Sequence, residues 1–172
     1  LPARNLAIAE EAGQDCVVCC AACYGRLASA NLAIKEDASL RAEVAKTIGR
    51  EYEGNVRVRH LLQVLLEDIG AKEVKDAVTR PLNGMKVACY YGCLLTRPTE
   101  LSIADDPEDP QLMENLLDAA GAETIEWPYK TECCGASFSI TRTDTVKRLS
   151  GEILRMAKES GADCIAVACP LC

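Results

Sequence analysis

Two patterns of hydrophobic and polar positions alternate along the second half of the chain. Two stretches place apolar residues every three or four positions, as amphipathic helices do: one follows a predicted N-cap at Asp109, and the other covers Thr143–Ser160. Short apolar runs typical of buried strands occur before, between and after them, at Lys86–Tyr91, Thr124–Trp127 and Cys164–Ala168. Strands that alternate with helices in this way form parallel sheets, so residues 81–172 are predicted to be a βαβαβ domain of the α/β class.

The first half of the chain has a mainly helical pattern. A turn-rich stretch, Thr79–Gly84, is the predicted boundary between a domain of residues 1–80 and a domain of residues 81–172. A short strand is predicted at Cys16–Cys19, and Asn55 is predicted to cap a helix that carries Val58 and Leu61. Further helices are predicted over Leu6–Ala12, Tyr24–Ile34 and Ala38–Arg50.

Composition and charge exclude several classes of protein. The 172 residues are 49% hydrophobic and 26% charged, which suits a packed globular core. A net charge of −7 argues against a nucleic-acid partner or an anionic membrane surface. No apolar run approaches the roughly 18 residues of a membrane helix, and no signal peptide opens the chain. We therefore expect a cytoplasmic protein without membrane insertion.

Cysteine is the unusual residue. The chain has eleven cysteines but one histidine, His60. Without a secretion signal, such a chain is more typical of metal thiolates than of disulfides. Ligation by sulfur alone indicates an iron–sulfur cluster or zinc.

The sequence contains an internal repeat, in which residues 5–23 match residues 153–172. At a constant offset the identical pairs are Leu6/Leu154, Ala9/Ala157, Glu11/Glu159, Gly13/Gly161, Asp15/Asp163 and Cys16/Cys164. One inserted residue then aligns Cys20 and Cys23 with Cys169 and Cys172. The chain is thus predicted to begin in the tail of a first repeat and to hold nearly all of a second. Cys16 and Cys164, at equivalent strand starts, are predicted to be small buried core residues.

Five cysteines of the second repeat follow the ends of predicted strands: Cys93, Cys133, Cys134, Cys169 and Cys172. Because the carboxyl ends of parallel strands meet at one edge of a sheet, we expect these sulfurs to lie together. Zinc or a cubane cluster needs four protein ligands, so a fifth thiolate and an adjacent pair favour an iron–sulfur cluster over zinc. Gly92 and Gly135 are predicted to bring backbone amides close to sulfur.

Three further residues leave alternatives open. Cys89 could replace Cys93, although it falls inside the strand, and Cys19 could replace its neighbour Cys20. Arg97, near Cys93, is a candidate for binding an anionic substrate.

The order of these cysteines resembles a known family. Cys93, then Cys133-Cys134-Gly135, then Cys169-Pro170-Leu171-Cys172 is similar to the cysteine-rich CCG domain. The stretch from Tyr90 to Pro98, YYGCLLTRP, is similar to the B-type subunits of heterodisulfide reductase and their relatives. The resemblance covers essentially the whole chain: the tail of a first CCG repeat, a helical connection and a second CCG domain.

The resemblance implies that each complete CCG motif holds a non-cubane [4Fe–4S] cluster and that two such clusters reductively cleave a disulfide between two coenzymes. The second cluster would use the five cysteines that follow the strand ends. Of the first cluster's ligands only Cys20 and Cys23 are present. The chain therefore carries at most one complete ligand set, and we expect no turnover from it alone.

Partner proteins are also implied. Electrons would come from a flavin-containing subunit and a ferredoxin-like iron–sulfur subunit. Two alternatives remain: an electron-transfer CCG subunit of another oxidoreductase or bifurcating complex, and a structural zinc module.

Overall fold

Each half of the chain builds its own small parallel sheet. The computed structural model describes residues 1–172, which divide into two compact units, Leu1–Leu61 and Leu62–Cys172. The domain boundary predicted at Thr79–Gly84 stays a prediction. No helix is both long enough and apolar enough to cross a bilayer.

The helices and strands follow one another in a regular order. In the first unit they are α1 (Pro2–Glu11), β1 (Cys16–Val18), α2 (Ala21–Glu36), α3 (Ala38–Ile48) and β2 (Val58–His60). Next come α4 (Leu61–Gln63), which continues as a π-helical turn over Val64–Ile69, and α5 (Ala71–Ala77). The remainder is β3 (Lys86–Tyr90), α6 (Leu112–Ala119), β4 (Glu123–Ile125), α7 (Thr143–Glu159) and β5 (Cys164–Val167), with 3₁₀ turns at Cys93–Leu95, Thr99–Leu101 and Ala136–Phe138.

The first unit packs its helices around a two-stranded sheet. β1 and β2 pair in parallel, with Cys16 opposite Val58 and Val18 opposite His60. The core beside them joins both helices that flank β1 to the segment before β2, through the buried residues Leu6, Ala7, Ile34, Tyr52 and Val56. The helix predicted from Asn55 is wrong in its first turn, because Val58–His60 form β2 and the helix begins at Leu61. The pairing of this segment with β1 overrides its helical pattern.

The second unit confirms the predicted parallel α/β fold. Its strands lie in the order β4-β3-β5, and all pairs are parallel. β3 is central, and all of its residues except Lys86 are buried. α7 packs on one face of the sheet, where the buried residues are Ala88, Tyr90, Trp127, Ile153 and Ala157.

The start of α6 differs from the prediction. The helix begins at Leu112 rather than after Asp109. The Asp109 carboxylate accepts hydrogen bonds from Lys130 Nζ and Gln111 Nε2 instead, both at 2.8 Å. A charged partner is thus available to Asp109 that the sequence pattern alone does not reveal.

Candidate metal centre at the carboxyl edge of the second unit

Three loops at the carboxyl ends of the strands carry the predicted ligands. The loop after β3 holds Cys93, the loop after β4 holds Cys133 and Cys134, and the chain after β5 holds Cys169 and Cys172. This is the edge at which open parallel sheets bind ligands.

Two glycines allow the tight turns beside these cysteines. Gly92 and Gly135 have φ values of +66° and +76°, in the left-handed region that favours glycine. A Cβ at Gly92 would lie 3.1 Å from the Tyr90 hydroxyl, and one at Gly135 would lie 3.0 Å from Leu149 Cδ1. A side chain at either position would therefore be crowded, and a residue other than glycine would also be strained by the positive φ.

The structure brings all five sulfurs into one group. Cys134 Sγ and Cys172 Sγ are 3.8 Å apart. The Cys93 thiol lies near Cys133 and Cys134, and the Cys172 thiol lies near Cys134 and Cys169. We call this group of five thiols the cysteine rim. The sequence predicted this juxtaposition from the fold; whether the five thiols bind one cluster is a proposal.

The spacing within the rim fits metal ligation. Two thiolates that share one tetrahedral ion at a metal–sulfur distance of about 2.3 Å are about 3.8 Å apart, which is the separation of Cys134 and Cys172. Nowhere in the chain do three or more histidine, cysteine, aspartate or glutamate side chains converge on the position of a single ion. Spacing suited to one shared ion is therefore found for a single pair of rim thiols, Cys134 and Cys172.

Two of the rim thiols, Cys93 and Cys172, are protonated at neutral pH. Burial, with the hydrogen bond and charge of Cys133 and the charge of Cys134, raises the pKa of Cys93 to about 11. Burial and the neighbouring Cys134 and Cys169 raise the pKa of Cys172 further. Because a metal ion binds the thiolate, loading the rim must displace these protons.

One of the two predicted amide contacts is present. The Gly135 N–H donates to Cys133 Sγ at 3.4 Å, and such a bond stabilises a thiolate and tunes the potential of a bound cluster. The Gly92 N–H itself donates to the carbonyl oxygen of Lys130 at 3.1 Å. Gly92 shapes its turn through that bond and not through sulfur.

Tyr90 is a residue of the rim that sequence reasoning used only as part of a motif. Its hydroxyl donates to the carbonyl oxygen of Glu132 at 2.6 Å, next to the cysteine doublet. Burial raises the pKa of Tyr90, and so do the nearby Cys134, Cys172 and Cys93 thiols. The phenol therefore lies beside the rim, near three of its sulfurs. Its position at the end of an apolar strand, just before Gly92, was the available signal.

A buried ion pair lies on the other side of the sheet from Tyr90. Lys130 Nζ is 3.0 Å from Glu114 Oε1, and the two side chains are 6% and 5% exposed. The two groups form an ion pair without a hydrogen bond, because no donor reaches Glu114 Oε1 with hydrogen-bond geometry. Glu114 Oε2 accepts the Tyr91 hydroxyl at 2.5 Å. The Lys130 carbonyl also accepts the N–H groups of Tyr91 and Gly92, at 2.9 and 3.1 Å. Lys130 thereby fastens the loop that leads to Cys133 onto the end of β3.

The remaining cysteines have varied environments. Cys89 is fully buried inside β3. Burial and the nearby Glu114 raise its pKa, which disfavours the thiolate that a metal ion would bind. Cys16 is half-buried, but Cys164 is exposed, so the prediction of a core role is wrong for Cys164. β5 is an edge strand, and the exposed Cys164 thiol donates to Met85 Sδ at 3.5 Å.

The first unit holds the other predicted ligand pair. Cys20 is half-buried at the N-terminus of α2, Cys23 lies in its first turn and is exposed, and Cys19 is exposed just before it. His60 is buried and lies edge-to-face against Tyr24, with 6.2 Å between ring centroids.

Two other predicted side chains are placed in the second unit. Trp127 is buried and its Nε1 donates to the Cys89 carbonyl at 2.8 Å. Arg97 forms an ion pair with Glu108, so its guanidinium already has an anionic partner within the unit.

Comparison with known proteins agrees with this geometry. A sequence profile of the cysteine-rich domain family named CCG matches residues 87–172. The chain is 34% identical over 177 residues to the B-type subunit of the ferredoxin/F(420)H(2)-dependent CoB-CoM heterodisulfide reductase of Methanosarcina acetivorans. It is 33% identical over 178 residues to the corresponding subunit of the ferredoxin:CoB-CoM heterodisulfide reductase of Methanosarcina mazei.

A third relative carries a different name. The chain is 30% identical over 172 residues to the membrane anchor subunit of the 8-methylmenaquinol:fumarate reductase of Wolinella succinogenes, of whose length it covers 60%. The chain is matched in full by the two Methanosarcina proteins and spans 59% of the length of each.

Proposed function

Because the chain belongs to the family of cysteine-rich CCG domains, we propose that it is the cluster-binding part of an oxidoreductase subunit of the heterodisulfide reductase B type. The observation that carries this proposal is the gathering of five thiols from three loops at one edge of the sheet. The ligands of a non-cubane [4Fe–4S] cluster would be Cys93, Cys133, Cys134, Cys169 and Cys172. A zinc module would leave one of these thiols without a role.

The proposed reaction is the reduction of a disulfide to two thiols with two electrons and two protons. Two relatives are named for the CoB-CoM heterodisulfide, so a disulfide between coenzyme M and coenzyme B is the proposed substrate. A bound cluster supplies single electrons and an iron that accepts a thiolate. The chain's own residues hold the sulfurs in place: Gly135 donates to Cys133, Tyr90 ties the doublet to β3, and Lys130 anchors the preceding loop.

The complete reaction needs a second ligand set. Cys20 and Cys23 would contribute to it, together with cysteines outside this stretch of sequence. Since the relatives are named as subunits, we propose a flavin-containing subunit and a ferredoxin-like subunit as electron donors. A cytoplasmic location stays a prediction.

Metal analysis tests the proposed ligand set. After anaerobic reconstitution with iron and sulfide, we expect about four irons and four sulfides per rim. Cys133→Ser and Cys172→Ser should each lose most of this iron. Cys164→Ser is the matched control: Cys164 is exposed and lies outside the rim, so this variant should bind iron normally. Tightly bound zinc with no iron would contradict the proposal.

An electron-transfer role is the second candidate, and the fumarate reductase relative favours it. The two roles differ in whether a disulfide touches the cluster. Addition of the heterodisulfide to the full-length, cluster-loaded protein should change the cluster's paramagnetic signal if the protein cleaves it. An unchanged signal in a protein that still passes electrons would assign the chain to electron transfer.

A further inference from the structure

One edge of the second unit is uncovered. β5 is the outer strand of its sheet and pairs with β3 on one side alone. Beside it a cavity of about 640 Å³ lies between α7 and β5, and its apolar lining includes Leu154, Ile165 and Val167. Leu154 is 61% exposed. An exposed leucine that continues into an apolar cavity beside an open strand edge is the kind of surface that interaction sites present.

The first unit shows what covers the equivalent surface in the other copy of the repeat. Leu6 matches Leu154, yet Leu6 is 1% exposed. It is packed by Ile34 of α2 and by Tyr52 and Val56 of the segment before β2. All of these residues follow the first copy's CxxC motif in the sequence.

The backbones of the two copies agree in detail, which supports the comparison. α1 and α7 end at the matching residues Glu11 and Glu159. The glycines after them, Gly13 and Gly161, both have left-handed φ values. In each copy the next residue's N–H closes the turn onto a matching alanine carbonyl, at 2.9 Å for Gln14 to Ala9 and 3.1 Å for Ala162 to Ala157.

The strand edges also correspond. The Cys16 N–H donates to the Arg57 carbonyl at 2.9 Å, toward β2. In the second copy the Asp163 N–H donates to the Lys86 carbonyl at 2.8 Å, toward β3. Because successive amides of a strand point to opposite sides, the Cys164 N–H points to the open edge. That open edge of β5 is therefore the edge that β2 occupies on β1.

We propose that a segment of the full-length polypeptide C-terminal to Cys172 covers this surface. It would supply a helix, as α2 does, that fills the cavity against Leu154, and then a strand parallel to β5 at Cys164 and Ala166. The curated relatives are longer than the matched region, which leaves room for such a segment. Tyr90, Cys134 and Cys172 also line the cavity, so the segment would lie beside the cysteine rim.

One difference between the copies shapes the proposed segment. Arg155 stands where the first unit has the fully buried Ala7, and it pairs with Glu159 at 2.9 Å on the surface of α7. The covering segment must not bury this ion pair, so the pair would lie at the edge of the covered surface. It therefore covers α7 chiefly on the side of Leu154 that faces β5.

Hydrogen exchange of the isolated full-length protein tests the strand. The amides of Cys164 and Ala166 should exchange at least a hundredfold more slowly than unstructured amides, because they donate to the added strand. Exchange at the unprotected rate would overturn the proposal. Protection that arises only when partner subunits are added would overturn it too, since the occupant would then be another chain.

Two matched substitutions test the helix in the same full-length protein. Leu154→Asp should lower the melting temperature about as much as Leu6→Asp does, while Ile140→Asp, at a site that is 95% exposed, should leave it unchanged. If Leu154→Asp behaves like Ile140→Asp, the surface is open and the proposal fails. These readouts do not depend on iron, so they stand apart from any failure of the proposed function.

Discussion

Replacement of Lys130 by methionine removes the cation that neutralises a buried carboxylate beneath the cysteine rim. Methionine keeps an unbranched apolar stem of similar length, so the loop before Cys133 keeps its packing. Glu114, whose side chain is 5% exposed, then remains in the interior without its partner. The two other carboxylates near Lys130 Nζ, those of Asp109 and Glu126, are mostly exposed and return to water at little cost.

The size of the effect follows from the burial of the Lys130–Glu114 pair. At the observed 3.0 Å, two unit charges attract with about 5 kcal/mol at an effective dielectric constant of about 20. Measured losses on removing one partner of a buried pair are about 3–5 kcal/mol, because the other charge is left buried. We therefore expect Lys130→Met to destabilise the second unit by about 3–5 kcal/mol.

The emission of Trp127 provides the assay. Trp127 is the only tryptophan in the chain and is buried in the second unit, so urea unfolding followed by its fluorescence reports on that unit. The double variant Lys130→Met/Glu114→Gln should recover much of the loss, since no buried charge remains. A loss below about 1 kcal/mol, or a double variant no more stable than Lys130→Met, would refute the reasoning, because the pair would then behave like an exposed one.

Four further predictions concern the rim. Gly135→Ala should destabilise the second unit by about 1–2 kcal/mol because of its left-handed φ, whereas Gly151→Ala, within α7 and without close neighbours, should stabilise it by about 0.5–1 kcal/mol; urea unfolding measures both. Tyr90→Phe and Tyr91→Phe each remove a hydroxyl that is hydrogen-bonded and should each cost about 1–3 kcal/mol, but Tyr90→Phe alone should alter the cluster's paramagnetic spectrum. The apparent affinity for iron should rise with pH, by up to about tenfold per unit for each proton displaced, because the pKa of Cys93 is about 11 and its proton must leave; titrations at several pH values measure this, and a flat profile would contradict it. Removal of iron by a chelator should lower the urea midpoint yet keep a cooperative transition of the Trp127 signal, because the buried cluster that contains Trp127 includes no proposed metal ligand and only Cys134 packs at its border.

The sequence predicted the parts of the fold that depend on local pattern. The helix Thr143–Glu159 and the strands β3 and β5 lie within a residue or two of their predicted bounds, because their apolar periods are long or uninterrupted. The five rim thiols were found from topology, since each follows a strand and parallel strands end at one edge.

The misses share a physical cause, which is that the deciding partner is remote in sequence. Val58–His60 became a strand because β1 pairs with it. Asp109 does not cap α6, because its carboxylate accepts a hydrogen bond from Lys130. The buried pair of Lys130 and Glu114 gives no local signal, because a lysine and a glutamate separated by a strand read as surface residues.

The raised thiol pKa values explain how the rim can assemble before metal arrives. Five thiolates in mutual contact would repel one another strongly, and the loops that carry them would move apart. Burial keeps the protons on Cys93 and Cys172 at neutral pH, so the sulfurs approach as neutral groups while Tyr90 and Lys130 hold the loops. When metal binds, its positive charge replaces those protons, and the same burial that disfavoured free thiolates strengthens their attraction to the metal. Folding without metal therefore favours neutral thiols in the rim, whereas metal binding requires thiolates. The exchange of protons for metal meets both requirements, because the rim never has to hold several unneutralised negative charges.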